Sequence, residues 1–284
     1  MNPSRLRSCA VSTLRQAFSA RNIEEAWTPV LVPSGAIEPY LDAFSIASSY
    51  GHRAFLPTSP EFGLKKAFAF SDGLGIYEIA HAFRDEERSR LHAPEFTMVE
   101  WYLRSTLYRD LPGWVEYLLR TLSASSCARE SRSFSPVTVV LPALYENLLG
   151  HSFPETQEKF QDEFMNVVEP WLATQDFVCL YDFPAYARGM AKLNSVGHAQ
   201  RVECYLDGLE IANGYQEIDS KDETIRIWEE NNALRLASGK EPHPIDETLV
   251  ELSHRLVGVS GMAMGLERVL MALWKIPHMK DFER

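Results

Sequence analysis

The 284-residue sequence has no CxxC pair, no apolar run approaching the length of a membrane span, no internal repeat and no low-complexity linker. Its four cysteines, Cys9, Cys127, Cys179 and Cys204, are far apart. That scatter argues against a disulfide framework or a zinc site and fits reduced thiols in a cytoplasmic protein. Positive charge is also scarce: 28 Lys and Arg against 39 Asp and Glu give a formal net charge of −11. Nonspecific gripping of nucleic acid is therefore not expected, and a basic patch would have to be local, as in the loop from Arg84 to Arg90. The opening MNPSRLRSCAVSTLRQAF carries arginines but no continuous apolar core, so neither a signal peptide nor a membrane partner is expected.

The length suits one large domain or two small ones, and the 45% hydrophobic and 24% charged fractions are ordinary for a globular protein. Leu6, Val11, Leu14 and Phe18 recur at helical spacing and predict an amphipathic opening helix over 5–20. Thr28-Pro29 then forces an extended segment, and 53–58 reads as a strand. Ser59-Pro60-Glu61 resembles a helix start, with Ser59 as N-cap and Pro60 in the first helical position. Further helices are expected at 111–124, 142–149, 155–173, 221–238 and 246–256, and strands at 177–182 and 201–217. Strands joined by hairpins and interspersed with helices predict a mixed, mainly antiparallel α+β fold with a sheet flanked by helices.

The stretch Phe83 to Tyr102, FRDEERSRLHAPEFTMVEWY, stands out. Gly75 to Arg84 and Glu95 to Leu103 read as two strands joined by a charged loop. Alternation puts Phe96, Met98, Glu100 and Tyr102 on one face. An unpaired carboxylate is rarely buried, so Glu100 points to a cavity with a cationic guest. Arg84, Arg88, Arg90 and His92 suit a polyanion better than a core. The residues alone equally allow a solvated hairpin with scattered charges.

In RVECYLDGLEIANGYQE, Asp207-Gly208 is a two-residue hairpin signal. Regular pairing sets Leu206 against Leu209, Tyr205 against Glu210, Cys204 against Ile211 and Glu203 against Ala212. Glu203 and Glu210 are then diagonal neighbours on one face, with Cβ atoms on the order of 7 Å apart. Two carboxylates that close invite a cation, and Mg²⁺ prefers such oxygen ligands together with phosphates. A solvated strand face is the alternative. Glu217 falls on the opposite face by strict alternation, unless a bulge at Asn213-Gly214 flips the register. Further on, small residues Gly261, Ala263 and Gly265 alternate along a strand, and Arg268 follows in the first turns of a helix. An arginine near a helix start suits a phosphate, although a glycine-rich turn of this kind also serves plain tight packing.

These three pieces, in this order, resemble the signature motifs of class II aminoacyl-tRNA synthetases, and of the lysyl branch in particular. FRDEERSRLHAPEFTMVEWY is similar to that branch's second motif, GMAMGLERVLMAL to the third and ARNIEEAWTPVL to the first. The first motif lies at a dimer interface in the family, which implies a homodimer. Trp27 departs from the glutamate that usually precedes Thr-Pro there. The first motif begins about twenty residues in, which leaves no room for the anticodon-binding barrel of a lysyl synthetase; a single catalytic domain over 1–284 is expected. Such a free-standing lysyl-type domain resembles the elongation factor P–lysine ligases, and YLDGLEIANGYQEI and PHPIDETLVELSHR agree with that group. Ala263 stands where the lysyl synthetases usually have glycine and the ligases have alanine, a change associated with accepting β-lysine.

The resemblance implies ATP and Mg²⁺ as cofactors and assigns roles. Arg84 would contact the ATP α-phosphate, Glu86 the adenine amino group, His92 the terminal phosphates and Phe96 the adenine ring; Arg268 would grip the γ-phosphate. Glu203 and Glu210 would hold Mg²⁺. Glu61, Glu100, Tyr102, Asn213, Glu217 and Ala263 would surround lysine or β-lysine. The implied reaction activates the amino acid as an aminoacyl-adenylate and transfers it to a lysine ε-amino group of elongation factor P. A tRNA-charging paralogue and a non-catalytic regulatory subunit are the rival readings. Retention of Arg84, Arg268, Glu203 and Glu210 argues against the second.

Overall fold

The computed structural model describes residues 2–283 except 36–37, 48–52, 86–87, 127 and 129–131. Cys127 and Glu86 therefore lie outside the described residues. The opening helix, α1 (Pro3–Ser19), is capped by Asn2, whose side chain accepts from the Ser4 N–H, and it buries Leu6, Ala10, Leu14 and Phe18. A short edge strand, β1 (Glu24–Glu25), and a small hairpin, β2 (Ser45–Ala47) with β3 (Arg53–Phe55), lead into α2 (Glu61–Phe70). That helix begins one residue later than its capping signal suggests. Pro60 sits at φ −72°, ψ 0°, outside the helix, while the Ser59 hydroxyl still accepts from the Glu61 N–H at 3.3 Å.

The hairpin β4 (Gly75–Phe83) and β5 (Glu95–Arg104) precedes α3 (Leu111–Ser123). A strand with no clear sequence signal, β6 (Val137–Val140), runs into α4 (Leu141–Leu149). The polar helix expected over 155–173 is interrupted: α5 (Gln157–Glu163) passes into a π-helical turn over Phe164–Val168 before α6 (Glu169–Leu172). Then come β7 (Phe177–Phe183), β8 (Ala199–Leu206), β9 (Leu209–Gln216), α7 (Lys221–Ala237), α8 (Glu247–Leu252), β10 (Val259–Gly265) and α9 (Leu266–Trp274).

Eight strands form one sheet in the order β1-β4-β5-β10-β9-β8-β7-β6. The central pairings are antiparallel, and only the outermost ones, β1 with β4 and β6 with β7, are parallel. The fold is α+β, a large and mostly antiparallel sheet flanked by helices. One sheet face carries the main core, where Tyr77, Val99, Trp101, Met262, Met264, Val202 and Cys204 pack with residues of α1, α3 and α9. Buried Cys179 and Cys204 face each other there as free thiols, sulfurs 3.4 Å apart. The opposite face is polar across its centre, and its side chains belong to the segments singled out above. Among the described residues no helix is long and apolar enough to cross a membrane.

Candidate active site

Register explains how distant residues meet on the polar face. In the β4–β5 hairpin Ile76 pairs with Tyr102, Glu78 with Glu100 and Ala82 with Phe96. β10 continues the same face: Gly261 lies beside Tyr102 and Ala263 beside Glu100. Its other edge sets Gly261 against Tyr215 and Ala263 against Asn213. A side chain is excluded at Gly261, since a Cβ there would come within 2.2 Å of the Tyr102 ring. Small residues on β10 thus open a trough between the acidic and aromatic side chains of β5 and β9.

The β8–β9 hairpin departs from the regular pairing expected of its turn. Leu206 pairs with Leu209 and Tyr205 with Glu210, but Cys204 then pairs with Ala212 and Glu203 with Asn213. Ile211 is the extra residue of a bulge, two positions before the Asn213-Gly214 site that alternation suggested. Ala212 therefore turns to the core with Cys204, contrary to the expected pairing with Glu203. Asn213, Tyr215 and Glu217 join Glu210 on the polar face.

Three connected cavities line this face. The first, about 110 Å³, is bounded by Glu61, Glu100, Tyr102, Asn213, Tyr215, Gly261 and Ala263, with Arg84 at its mouth. Lys65, from the second turn of α2, is 1% exposed behind it and bridges Glu61 Oε1 and Glu217 Oε2, each at 2.7 Å. Tyr215 donates its hydroxyl to Glu61 Oε1 at 2.5 Å, and Tyr102 donates to Glu100 Oε1 at 2.6 Å. Around this site Glu100 Oε2, Glu217 Oε1, Asn213 Oδ1 and Ser34 Oγ are buried with no partner among the described residues. Burial, then the charge of Glu61, pushes the Glu100 carboxyl up to about 8. Burial likewise drives Glu217 up to about 7, with Lys65 pulling against it. Burial alone would lower the Lys65 pKa, but Glu217 and Glu61 overcome it and hold the ammonium charged.

The second cavity, about 280 Å³, shares Arg84, Asn213 and Ala263 with the first and adds His92, Phe96, Glu210 and Arg268. The Arg84 guanidinium lies 5.1 Å from the Phe96 ring centre. Arg268, in the first turn of α9, donates to His92 Nε2 at 2.6 Å and to the Glu210 carbonyl at 3.1 Å. His92 Nε2 thus accepts, which places its proton on Nδ1 toward Ser89 Oγ at 2.8 Å. A cleft with an aromatic plate and an arginine on either side suits a nucleotide. Arg88 is exposed and Arg90 donates to the Pro277 carbonyl, so neither enters it.

Glu203 and Glu210 face the third cavity, about 600 Å³, with Arg201, Tyr205, Glu169 and Met165. Glu203 is held by Arg201 at 2.6 Å and by the Tyr205 hydroxyl. Burial raises its carboxyl against the pull of Arg201, and the charge of Glu210 adds to the rise. Among the described residues no group of three or more His, Cys, Asp or Glu could hold a metal alone. Two repelling carboxylates still fit Mg²⁺, which needs only one or two beside phosphates and water.

Of the sequence-assigned residues, Glu61, Glu100, Tyr102, Asn213 and Ala263 line the first cavity, and Glu217 lies behind it on Lys65. Arg84, His92, Phe96 and Arg268 gather at the second, Glu210 at the second and third, and Glu203 at the third alone. Lys65, Arg201 and Tyr215 were not singled out. Each stands at a readable offset from one that was: Lys65 four residues after Glu61 on a helix, Arg201 and Tyr215 two residues from Glu203 and Asn213 on strands.

A family model described as tRNA synthetases class II (D, K and N) matches residues 2–283. Among curated proteins, the elongation factor P–(R)-β-lysine ligase of Vibrio atlanticus strain LGP32 is 32% identical over 300 residues, 97% of this chain and 92% of that protein. The protein of the same name from Proteus mirabilis strain HI4320 is 32% identical over 296 residues, 95% of this chain and 90% of that one. That of Pasteurella multocida strain Pm70 is 31% identical over 288 residues, 93% and 88% of the two. With its motif residues assembled on one sheet face and the family match running almost end to end, the chain belongs to the class II tRNA synthetase family.

Proposed function

We propose that this protein is an ATP-dependent ligase that activates lysine or (R)-β-lysine as an aminoacyl-adenylate and transfers it to a lysine ε-amino group of elongation factor P. The observation that carries the reading is a set of unpartnered buried acceptors: Glu100 Oε2 and Asn213 Oδ1 in the lining of a small cavity, and Glu217 Oε1 behind it with Lys65. Buried acceptors without donors are costly, and a ligand bearing ammonium groups satisfies all three. The names of the similar proteins support the same substrate and the same acceptor.

In this reading Phe96 stacks on adenine, and His92 and Arg268 meet the outer phosphates. Arg84, at the junction of the first two cavities, faces the α-phosphorus. The amino-acid carboxylate attacks there, the bond to the bridging oxygen breaks, and pyrophosphate leaves. Arg84 stabilises the charge that builds on the phosphoryl oxygens. Mg²⁺, held by Glu203 and Glu210, would neutralise the triphosphate. In the second step the deprotonated ε-amino group attacks the acyl carbonyl, an amide forms, AMP leaves, and the amine proton passes to solvent or a nearby carboxylate. The third cavity is the assigned approach for that amine, because Glu169, Glu203 and Glu210 line it. Ala263, between Glu100 and Asn213, places a methyl group on the floor of the amino-acid pocket, where it shapes the space available to either lysine isomer.

A homodimer through the first-motif segment fits the exposure there: Trp27 is 84% exposed, and Val30 and Leu31 lie beside it. Mass spectrometry of elongation factor P after incubation with the enzyme, ATP and each lysine isomer tests the function. A mass increase of one lysyl or β-lysyl unit on one lysine is the expected result. Charging of tRNA with no modified elongation factor P would favour the synthetase reading instead.

A further inference from the structure

The ammonium of Lys65 has no place in that mechanism, yet it is the most completely enclosed charge in the neighbourhood. It contacts Glu61 Oε1 and Glu217 Oε2 at 2.7 Å each and the Tyr215 hydroxyl at 3.3 Å. The rings of Tyr215 and Tyr102 lie 5.1 and 5.8 Å from it. Every side of this cation is occupied, so it is neither a nucleophile nor a group waiting for substrate. What it changes is the charge of the pocket. Three carboxylates, Glu61, Glu100 and Glu217, act on one another there, and three that close cannot all ionise without cations among them. Nearby charges do not alter the count. Arg188 is spent on Glu223 at 2.6 Å, Glu78 accepts from the Thr28 N–H at 3.0 Å, and Glu38, a fourth carboxylate in the lining, is answered by Arg84 and Arg201.

We propose that Lys65 is a built-in counter-ion that determines specificity: by neutralising one of the three carboxylates it leaves the pocket short of two positive charges once the entering ligand displaces the proton of Glu100. A lysine isomer supplies both, one from each ammonium group, whereas an amino acid with a neutral side chain supplies one. The proposal rests on the reading of the first cavity as the lysine pocket. It concerns which carboxylates are left for the ligand, and Lys65 itself touches none of it.

The test is calorimetric binding of each lysine isomer, of norleucine and of ATP to the wild type and to Lys65→Met, Lys65→Arg, Glu61→Gln and the double variant Lys65→Met/Glu61→Gln. Lys65→Met is expected to weaken lysine binding by roughly tenfold or more and to shrink the preference over norleucine, with ATP binding unchanged and Lys65→Arg close to wild type. The double variant removes one charge of each sign and restores the count. It is expected to bind lysine more tightly than either single variant, an order that a packing role does not produce. Lysine binding by Lys65→Met equal to wild type overturns the inference alone. So does a double variant no better than its parents, and where Lys65→Met does not fold the comparison with Glu61→Gln decides. Failure of the wild type to bind either isomer overturns the pocket reading and the inference with it.

Discussion

Glu203 stands opposite Asn213 in the β8–β9 hairpin, while Tyr205, two residues further on, stands opposite Glu210. The extra residue, Ile211, is buried among core side chains. Because side chains alternate, this single insertion decides whether Asn213 and Tyr215 line the first cavity, with Glu217 behind them on Lys65, or turn into the core. Deleting Ile211 is therefore expected to abolish lysine-dependent pyrophosphate exchange. Ile211→Ala keeps the residue count and is expected to retain exchange while losing about 2–5 kcal/mol of stability. Exchange by a folded deletion variant would show that the bulge does not set the pocket.

Glu100 gives a pH dependence with a definite sign. Its carboxyl, pushed up to about 8 by burial and then by Glu61, keeps a proton that the unfolded chain releases near 4.5. Between those values the folded state binds more protons than the unfolded one, so this group makes stability fall as pH rises through the window. Glu100→Gln removes that cost. The variant is expected to gain on the order of 2 kcal/mol over wild type near pH 8 and almost nothing below about pH 4.5, while losing lysine activation. Thermal unfolding at both ends of the window checks it. A gain equal at the two ends would place the cost in packing.

The faces of β5 and β10 are legible in the sequence because strict alternation holds along both strands, which sets Glu100, Tyr102 and Ala263 on one face; their roles are what the family resemblance implies. The hairpin turn at Asp207-Gly208 is legible too, both residues adopting positive φ. A bulge at Asn213-Gly214 is offered by the sequence only as a condition for Glu217 to join the others; its place at Ile211 is not legible, because it is set by how Ile211 and Ala212 pack beneath the sheet. The π-helical turn over Phe164–Val168 is hidden for a similar reason: one extra residue in a helix leaves the hydrophobic period almost unchanged. Lys65 was missed because a lysine four residues after a glutamate is an ordinary surface pair, and only the sheet packed over α2 makes it a buried one.

The first two cavities are expected to separate in steady-state kinetics. Glu217→Gln removes a carboxylate with one oxygen unpartnered among the described residues and is expected to raise the KM for lysine by roughly tenfold to a hundredfold, with the KM for ATP nearly unchanged. Arg268→Ala should do the reverse, since its neighbours are His92 and Glu210 of the second cavity. Arg84 borders both, and Arg84→Ala is expected to lower kcat by about a hundredfold or more. The same pyrophosphate exchange assay, titrated in each substrate, reads all three. An ATP effect dominating in Glu217→Gln would mean that the two cavities are misassigned.

Transfer should separate from activation at Glu169. This residue begins α6, immediately after the π-helical turn, and lines the third cavity with Glu203 and Glu210. Partial burial and the charge of Glu210 raise its carboxyl, which suits it to accept a proton from an incoming ammonium. It borders neither the first cavity nor the second. Glu169→Gln is accordingly expected to leave lysine-dependent pyrophosphate exchange within about twofold of wild type. Modification of elongation factor P should slow by roughly tenfold to a hundredfold. Comparing exchange with single-turnover transfer on one preparation isolates the step. Equal losses in both assays would place Glu169 with the metal carboxylates rather than on the acceptor's path.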